Sequence, residues 1–192
     1  MKRKLILSIL FLGLFLLVLA GVIFNVFTPF DNYTSSVVFG LESKVFISIS
    51  RAIEIIFDTI TLVIATLIIS GFLFFKKRKQ GLMFTSLMLA DGLLLYIIKE
   101  LIGKARPLNG LTMITGFSFP SGHAAAGVVF FGLILYIIGG KRKKLVFPCI
   151  ILMVLIALSR IYLNAHWFSD VLGGVFLGLF ILFFGIYLFE RK

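Results

Sequence analysis

Six apolar runs divide this chain, most of them about twenty residues long, and short tight clusters of lysine and arginine separate several of them. They cover approximately residues 5–27, 53–75, 82–102, 121–140, 145–163 and 166–189. A helix crosses the hydrocarbon core of a bilayer in roughly 20 apolar residues, so this spacing predicts six crossings. Composition agrees. The hydrophobic fraction is 60%, against roughly 45–50% in soluble domains, and the mean hydropathy is +1.15. The expected fold is an all-α, integral membrane six-helix bundle, built as a single domain over residues 1–192 without repeats or low-complexity linkers.

The first run follows Lys2-Arg3-Lys4, as a signal peptide would. It exceeds the usual h-region of about 7–15 residues, so it is expected to stay as a membrane anchor. Residues 29–50 are more polar and read as a loop with room for a short interfacial helix. Asp31, Asn32, Glu42 and Lys44 lie in this stretch, with Arg51 just beyond it.

The net charge of +11 would suggest nucleic acid in a soluble protein. Here the cations are bunched between apolar runs, which points to membrane orientation instead; no nucleic-acid partner is expected. Cytoplasmic loops collect Lys and Arg. With the amino terminus inside, 13 of the 19 cations fall in inner segments; the exceptions are Lys44, Arg51, Lys99, Lys104, Arg106 and Arg160. Both termini are therefore expected in the cytoplasm of a cell whose plasma membrane holds the protein. The single cysteine, Cys149, lies inside an apolar run and reads as a small buried hydrophobe.

This topology gathers the unusual polar residues at the outer face. Lys99 ends the third span, and Arg106 lies just beyond it. Ser121, Gly122 and His123 open the fourth, Arg160 ends the fifth, and His166 and Asp170 open the sixth. Ionisable groups at membrane depth are costly and usually functional, although snorkelling or structural pairing would explain any one of them. Three converging cations repel one another unless an anion sits among them. A phosphate fits, since arginine binds its oxygens bidentately and lysine acts as a point charge. Ser121 has the position of an N-cap, and Gly122 lets backbone come close to a ligand at a helix end that favours anions; an ordinary cap beside a histidine is the plainer alternative. His166 and Asp170 are four apart and share a helix face. The carboxylate can then fix the tautomer and leave the other ring nitrogen free to attack, or the two form a surface pair. Zinc would need three or four ligands, and no cysteine lies near, so no metal is expected.

Three motifs stand in order: Lys99, six residues, Arg106-Pro107; Pro120-Ser121-Gly122-His123; and Ser159-Arg160, five residues, His166, three residues, Asp170. In these the chain resembles the phosphatidic acid phosphatase type 2 superfamily of lipid phosphatases, with no departure inside the motifs. The resemblance implies that His166 is a nucleophile forming a phosphohistidine, that Asp170 orients it, and that His123 protonates the leaving oxygen. It implies that Lys99, Arg106 and Arg160 hold the phosphate, helped by Ser121 and the backbone at Gly122, with no metal or other cofactor. The implied substrate is a membrane lipid phosphate or diphosphate at the extracytoplasmic face, similar to undecaprenyl pyrophosphate or phosphatidylglycerophosphate. A lipid A phosphatase, a phosphotransferase using the same phosphohistidine, and a non-catalytic anionic-lipid binder or transporter are the competing readings.

Other polar residues are read structurally. Asp91, mid-span, either pairs inside the bundle or lines a pocket. Glu54 and Asp58 face Arg51 or Lys44. Lys104 is a solvated loop lysine with the reach to touch a second phosphate, and Trp167 is an interfacial anchor.

Overall fold

A computed structural model describes residues 1–41, 43–112, 114–139 and 143–191, including every side chain of these except that of Phe39. The described residues form eight α-helices: α1 (Lys2–Ile23), α2 (Thr28–Gly40), α3 (Lys44–Ile56), α4 (Thr59–Lys76), α5 (Arg78–Ile102), α6 (Gly122–Ile138), α7 (Val146–Tyr162) and α8 (Phe168–Arg191), with a 3-10 turn at Lys143–Leu145. Five of them, namely α1, α4, α5, α7 extended by that turn, and α8, are long and apolar enough to cross a membrane. The sixth expected span, α6, has 17 residues, about 25 Å at 1.5 Å per residue. It starts late because Pro120 and Ser121 precede it, and Gly139 ends it in a left-handed cap at φ 56°.

The bundle is organised around α6 and α8. α6 packs on α5, α7 and α8, while α8 also carries α1 on its other side. Lipid offers no hydrophobic drive between helices, so close packing depends on small residues that let backbones approach. Gly174 and Gly178 provide this on α8. A Cβ at Gly174 would lie 2.4 Å from the Ser121 carbonyl oxygen, and one at Gly178 would lie 2.7 Å from that of Ala125. That approach sets the amino-terminal end of α6 directly against that of α8. At the opposite end Glu190 accepts hydrogen bonds from Lys4 and from the Tyr136 hydroxyl, which joins the start of α1 to the ends of α6 and α8. Lys4 and Glu190 therefore lie at the end of the bundle away from His166.

Two sequence expectations change. The stretch over residues 29–50 is not a loop but α2 and most of α3. α3 is amphipathic: Ser50 is buried and Ile47 and Ile53 half-buried, while Lys44 and Arg51 are exposed. The second span does not begin at residue 53. The chain breaks at Phe57, and Asp58 caps a new helix by accepting from the Thr61 N–H at 2.7 Å. A carboxylate at an N-cap meets an otherwise unpaired backbone donor, and Asp58 followed by Thr59 was the local signal for that break.

Candidate active site

Four helix ends and two connections meet at one end of the bundle. α5 stops at Gly103, whose φ of 63° suits glycine. The following loop is folded back by Ser118, whose N–H donates to the Lys104 carbonyl at 2.8 Å and whose hydroxyl lies 3.0 Å from the Lys104 and Ala105 carbonyls. The Leu111 N–H reaches the Leu163 carbonyl at 2.9 Å, and the Ser121 N–H reaches that of Asp170 at 2.9 Å. The loop is thus held against the α7–α8 connection, and the three motifs close on one another.

His166 sits in that connection, 3% exposed. Its Nδ1 faces Asp170 Oδ2 at 3.5 Å, and its Nε2 faces Arg106 Nη1 at 3.1 Å. A guanidinium only donates, so Nε2 is the unprotonated nitrogen and Nδ1 carries the hydrogen. Asp170 Oδ2 also accepts from the Trp167 N–H at 2.9 Å, which fixes the carboxylate behind the ring. Burial pushes the His166 imidazole down to about 4; Asp170 opposes that shift, and the Arg106 and Lys99 charges add to it. At neutral pH the ring is therefore uncharged, with its lone pair pointing at a cation.

The cations differ in what holds them. Besides its contact with His166, Arg106 donates through Nε to Gly116, through Nη1 to Ala165 and through Nη2 to Phe117, each a carbonyl oxygen at 2.8–3.1 Å. Lys99 likewise donates to the carbonyls of Phe117 and Ser118, at 2.8 and 3.2 Å. Carbonyl dipoles position these charges without cancelling them. Arg160 is 0% exposed. It pairs through Nη1 with Glu54 Oε1 at 3.0 Å and touches Ser159 Oγ through Nε, while its Nη2 has no partner. Glu54 thus turns to Arg160 rather than to Arg51 or Lys44; Arg51 instead donates to the Leu111 carbonyl.

Ser121 occupies the N-cap position of α6, but its hydroxyl makes no capping bond. Ser121 Oγ and His123 Nε2 are both buried without a partner. Buried polar atoms are normally paired, so these two and Arg160 Nη2 mark a place prepared for hydrogen-bonding atoms from outside the chain. Gly122 meets no packing limit, since a Cβ there would lie 3.8 Å from Leu95 Cδ1. Its smallness is therefore free to serve a ligand. A cavity of about 220 Å³ begins beside Gly122 and His123 and runs between α4, α5 and α6. Its rim includes Val63, Leu67 and Leu89, all exposed. Asp91 lines this cavity rather than joining an ion pair among the described residues, and its Oδ1 has no partner.

Besides Glu54, sequence reasoning missed three participants. Lys104 is not a solvated lysine: its Nζ lies 2.8 Å from Asp31 Oδ2, 3.0 Å from Asp170 Oδ1 and 2.6 Å from Ser169 Oγ. Asp31, placed in a loop by its polar surroundings, is buried and accepts from the Ser169 N–H and hydroxyl. Trp167 does more than anchor an interface, since its indole N–H donates to the Ala105 carbonyl at 2.8 Å. Only the adjacency of Ser169 to Asp170 hinted at any of this.

Comparison with known proteins bears on the family and the fold. Residues 80–192 match the model of the PAP2 superfamily. The chain is 36% identical over 131 residues to phosphatidylglycerophosphatase B of Bacillus subtilis, an alignment covering 64% of each protein. It is 28% identical over 121 residues to undecaprenyl-diphosphatase of Sulfolobus acidocaldarius, covering 59% of this chain and 57% of that one. It therefore aligns with rather less than two thirds of either curated relative. The crystal structure of a transmembrane PAP2-type phosphatidylglycerolphosphate phosphatase from Bacillus subtilis superposes with a TM-score of 0.89 at 27% identity, over 96% of both chains. The family match takes in more than half of the sequence and all three motifs, and the chain belongs to the PAP2 superfamily.

Proposed function

We propose that this protein is a metal-independent lipid phosphate or diphosphate phosphatase that works through a phosphohistidine on His166, at the outer face of the plasma membrane. One observation carries the reading. His166 Nε2, unprotonated and backed by Asp170, faces Arg106, in a site where Ser121 Oγ, His123 Nε2 and Arg160 Nη2 are all left without partners. A binding protein needs cations but neither an attacking nitrogen nor a second histidine.

In the first step Nε2 attacks phosphorus and forms an N–P bond. The bond from phosphorus to the leaving oxygen breaks, the lipid alcohol oxygen in a monophosphate or the bridging oxygen in a diphosphate, and His123 gives that oxygen a proton. In the second step water attacks phosphorus and loses a proton to His123, the N–P bond breaks and inorganic phosphate leaves. Splitting the reaction gives two easier steps. Lys99, Arg106 and Arg160 stabilise charge on the transferring group, a task done elsewhere by bound metal ions. Asp170, whose Oδ2 lies 3.5 Å from Nδ1, stabilises the cationic ring during attack by closing on Nδ1–H.

The apolar cavity between α4, α5 and α6 suits a lipid chain whose phosphate lies at His123, with the exposed rim at Val63, Leu67 and Leu89 as its opening to the bilayer. The names of the relatives favour phosphatidylglycerophosphate and undecaprenyl diphosphate as substrates. The basic clusters at the opposite end of the bundle favour a cytoplasmic location for that end, which leaves the site outside.

The test is phosphate release by the detergent-purified protein, with chelator present, from phosphatidylglycerophosphate, undecaprenyl diphosphate, phosphatidate and lipid A. Release is expected from at least one lipid and is lost in His166→Ala. Binding without release, or a rate that survives in His166→Ala, overturns the reading.

A further inference from the structure

The groups behind Asp170 form a chain that reaches the amino-terminal part of the molecule. Asp170 is 0% exposed. Its Oδ2 is shared between the Trp167 N–H and the His166 ring, while its Oδ1 faces Lys104 Nζ at 3.0 Å. A buried carboxylate needs a cation or donors on both oxygens. The ammonium donates to Asp31 Oδ2 at 2.8 Å and to Ser169 Oγ at 2.6 Å, and its charge faces Asp170 Oδ1 at 3.0 Å, an oxygen with no hydrogen-bond partner of its own. Ser169 in turn donates through its hydroxyl to Asp31 Oδ2 at 2.6 Å and through its N–H to Asp31 Oδ1 at 2.9 Å. Asp31 belongs to α2, outside the region matched by the family model.

We infer that Lys104 is a positioning residue: held by Asp31 and Ser169, it fixes and neutralises the Asp170 carboxylate that orients His166, and it does not bind substrate. Two hydrogen bonds to Asp31 and Ser169 and the adjacent charge of Asp170 commit this ammonium to protein oxygens. α2 is then a working part of the site, because Asp31 holds the lysine that holds the dyad. As a statement about catalysis this rests on the phosphatase reading; as a statement about His166 it stands without it.

Two measurements test it. The first is kinetic, with phosphatidylglycerophosphate in detergent micelles as substrate and inorganic phosphate as inhibitor. Lys104→Met is expected to lose about 10- to 100-fold in kcat, the scale seen when the outer partner of an oriented group is removed. KM and the inhibition constant for inorganic phosphate should stay within about threefold, and Lys104→Arg should recover most of the loss. A weaker inhibition constant that tracks a raised KM would show that Lys104 binds the phosphate itself, and a kcat unchanged from wild type would show that it does nothing; either overturns the inference.

The second measurement needs no turnover. In a His123→Gln background the ring of His166 is followed by NMR through a pH titration. The groups facing that ring are Asp170 from α8, Arg106 from the loop and Lys99 from α5, with His123 of α6 replaced, and Lys104→Met alters none of them. Removing Lys104 leaves the Asp170 charge uncompensated, so the midpoint for His166 is expected to rise, and Lys104→Arg should restore it. An unmoved midpoint overturns the inference even if no lipid is turned over. Should Lys104→Met fail to fold, Asp31→Asn takes its place in the kinetic measurement, with a smaller loss of kcat and with KM and the phosphate inhibition constant again within about threefold; an unchanged kcat there overturns the inference.

Discussion

The two ends of the bundle use the same residue types for opposite purposes. At the end that carries the chain termini, Lys2, Arg3, Lys76, Lys77, Arg78, Lys79, Lys143, Lys144 and Arg191 are all exposed. At the other end Lys99, Lys104 and Arg106 are half-buried and Arg160 is fully buried, and each is hydrogen-bonded to named partners. Exposed charge next to a bilayer acts by number and sign, as an orientation signal. Enclosed charge acts by position, because low dielectric and fixed partners make each ångström matter. Changes at the two ends should therefore separate cleanly.

The largest effect is expected at Arg160. Arg160→Leu should lower kcat/KM about 100- to 1000-fold, the usual scale for removing one fixed donor from a developing charge, in assays of phosphate release. Glu54→Gln should cost less, since it removes the charge opposite Nη1 and leaves Nη2 in place. Next comes the helix contact that sets the site. Gly174→Val would drive a side chain into the Ser121 carbonyl, already 2.4 Å from where a Cβ would begin. It should destabilise the fold by about 3 kcal/mol in thermal or denaturant unfolding, and activity should fall in the remaining folded protein because α6 and α8 part.

A third expectation is a pH midpoint. Since burial lowers the His166 ring to about 4, NMR titration of His166 in a His123→Gln background should give a midpoint near that value instead of the ordinary 6.5. The neutral ring is the folded form, so the stability it contributes is full above pH 6.5 and is lost as pH falls toward 4. A midpoint near 6.5 would mean that the ring is more hydrated than the structure shows. The smallest effect is expected at the other end. Replacing Lys76, Lys77 and Lys79 together by glutamine should change kcat/KM of correctly inserted protein by no more than about twofold, while raising the fraction inserted the wrong way round. A large loss per correctly inserted molecule would erase the contrast between the two ends.

Much of this was legible in the sequence, and the limits have a physical cause. Lys99, Arg106, Ser121, His123, Arg160, His166 and Asp170 were visible because each sits at a fixed distance from its motif partners and at the end of an apolar run. The runs themselves gave the helices approximately. What was hidden depends on pairings between distant parts of the chain. Glu54 meets Arg160 and Asp31 meets Lys104 across 106 and 73 positions, and local periodicity carries no trace of such a pairing. The polar composition of residues 29–50 resembled a loop because α2 and α3 lie against the site end of the bundle, where polar side chains find partners. Ser121 misled in a smaller way: the residue type and position were those of a cap, but its hydroxyl is left free.

The central claim is the covalent step, and trapping tests it most directly. The protein would be mixed with a lipid substrate radiolabelled in the phosphate removed, quenched in alkali within one turnover and digested for mass spectrometry. The expected result is an acid-labile, alkali-stable phosphoryl group on the peptide containing His166, absent from His166→Ala. Turnover with no labelled intermediate at any quench time, or label on another residue, would contradict the account.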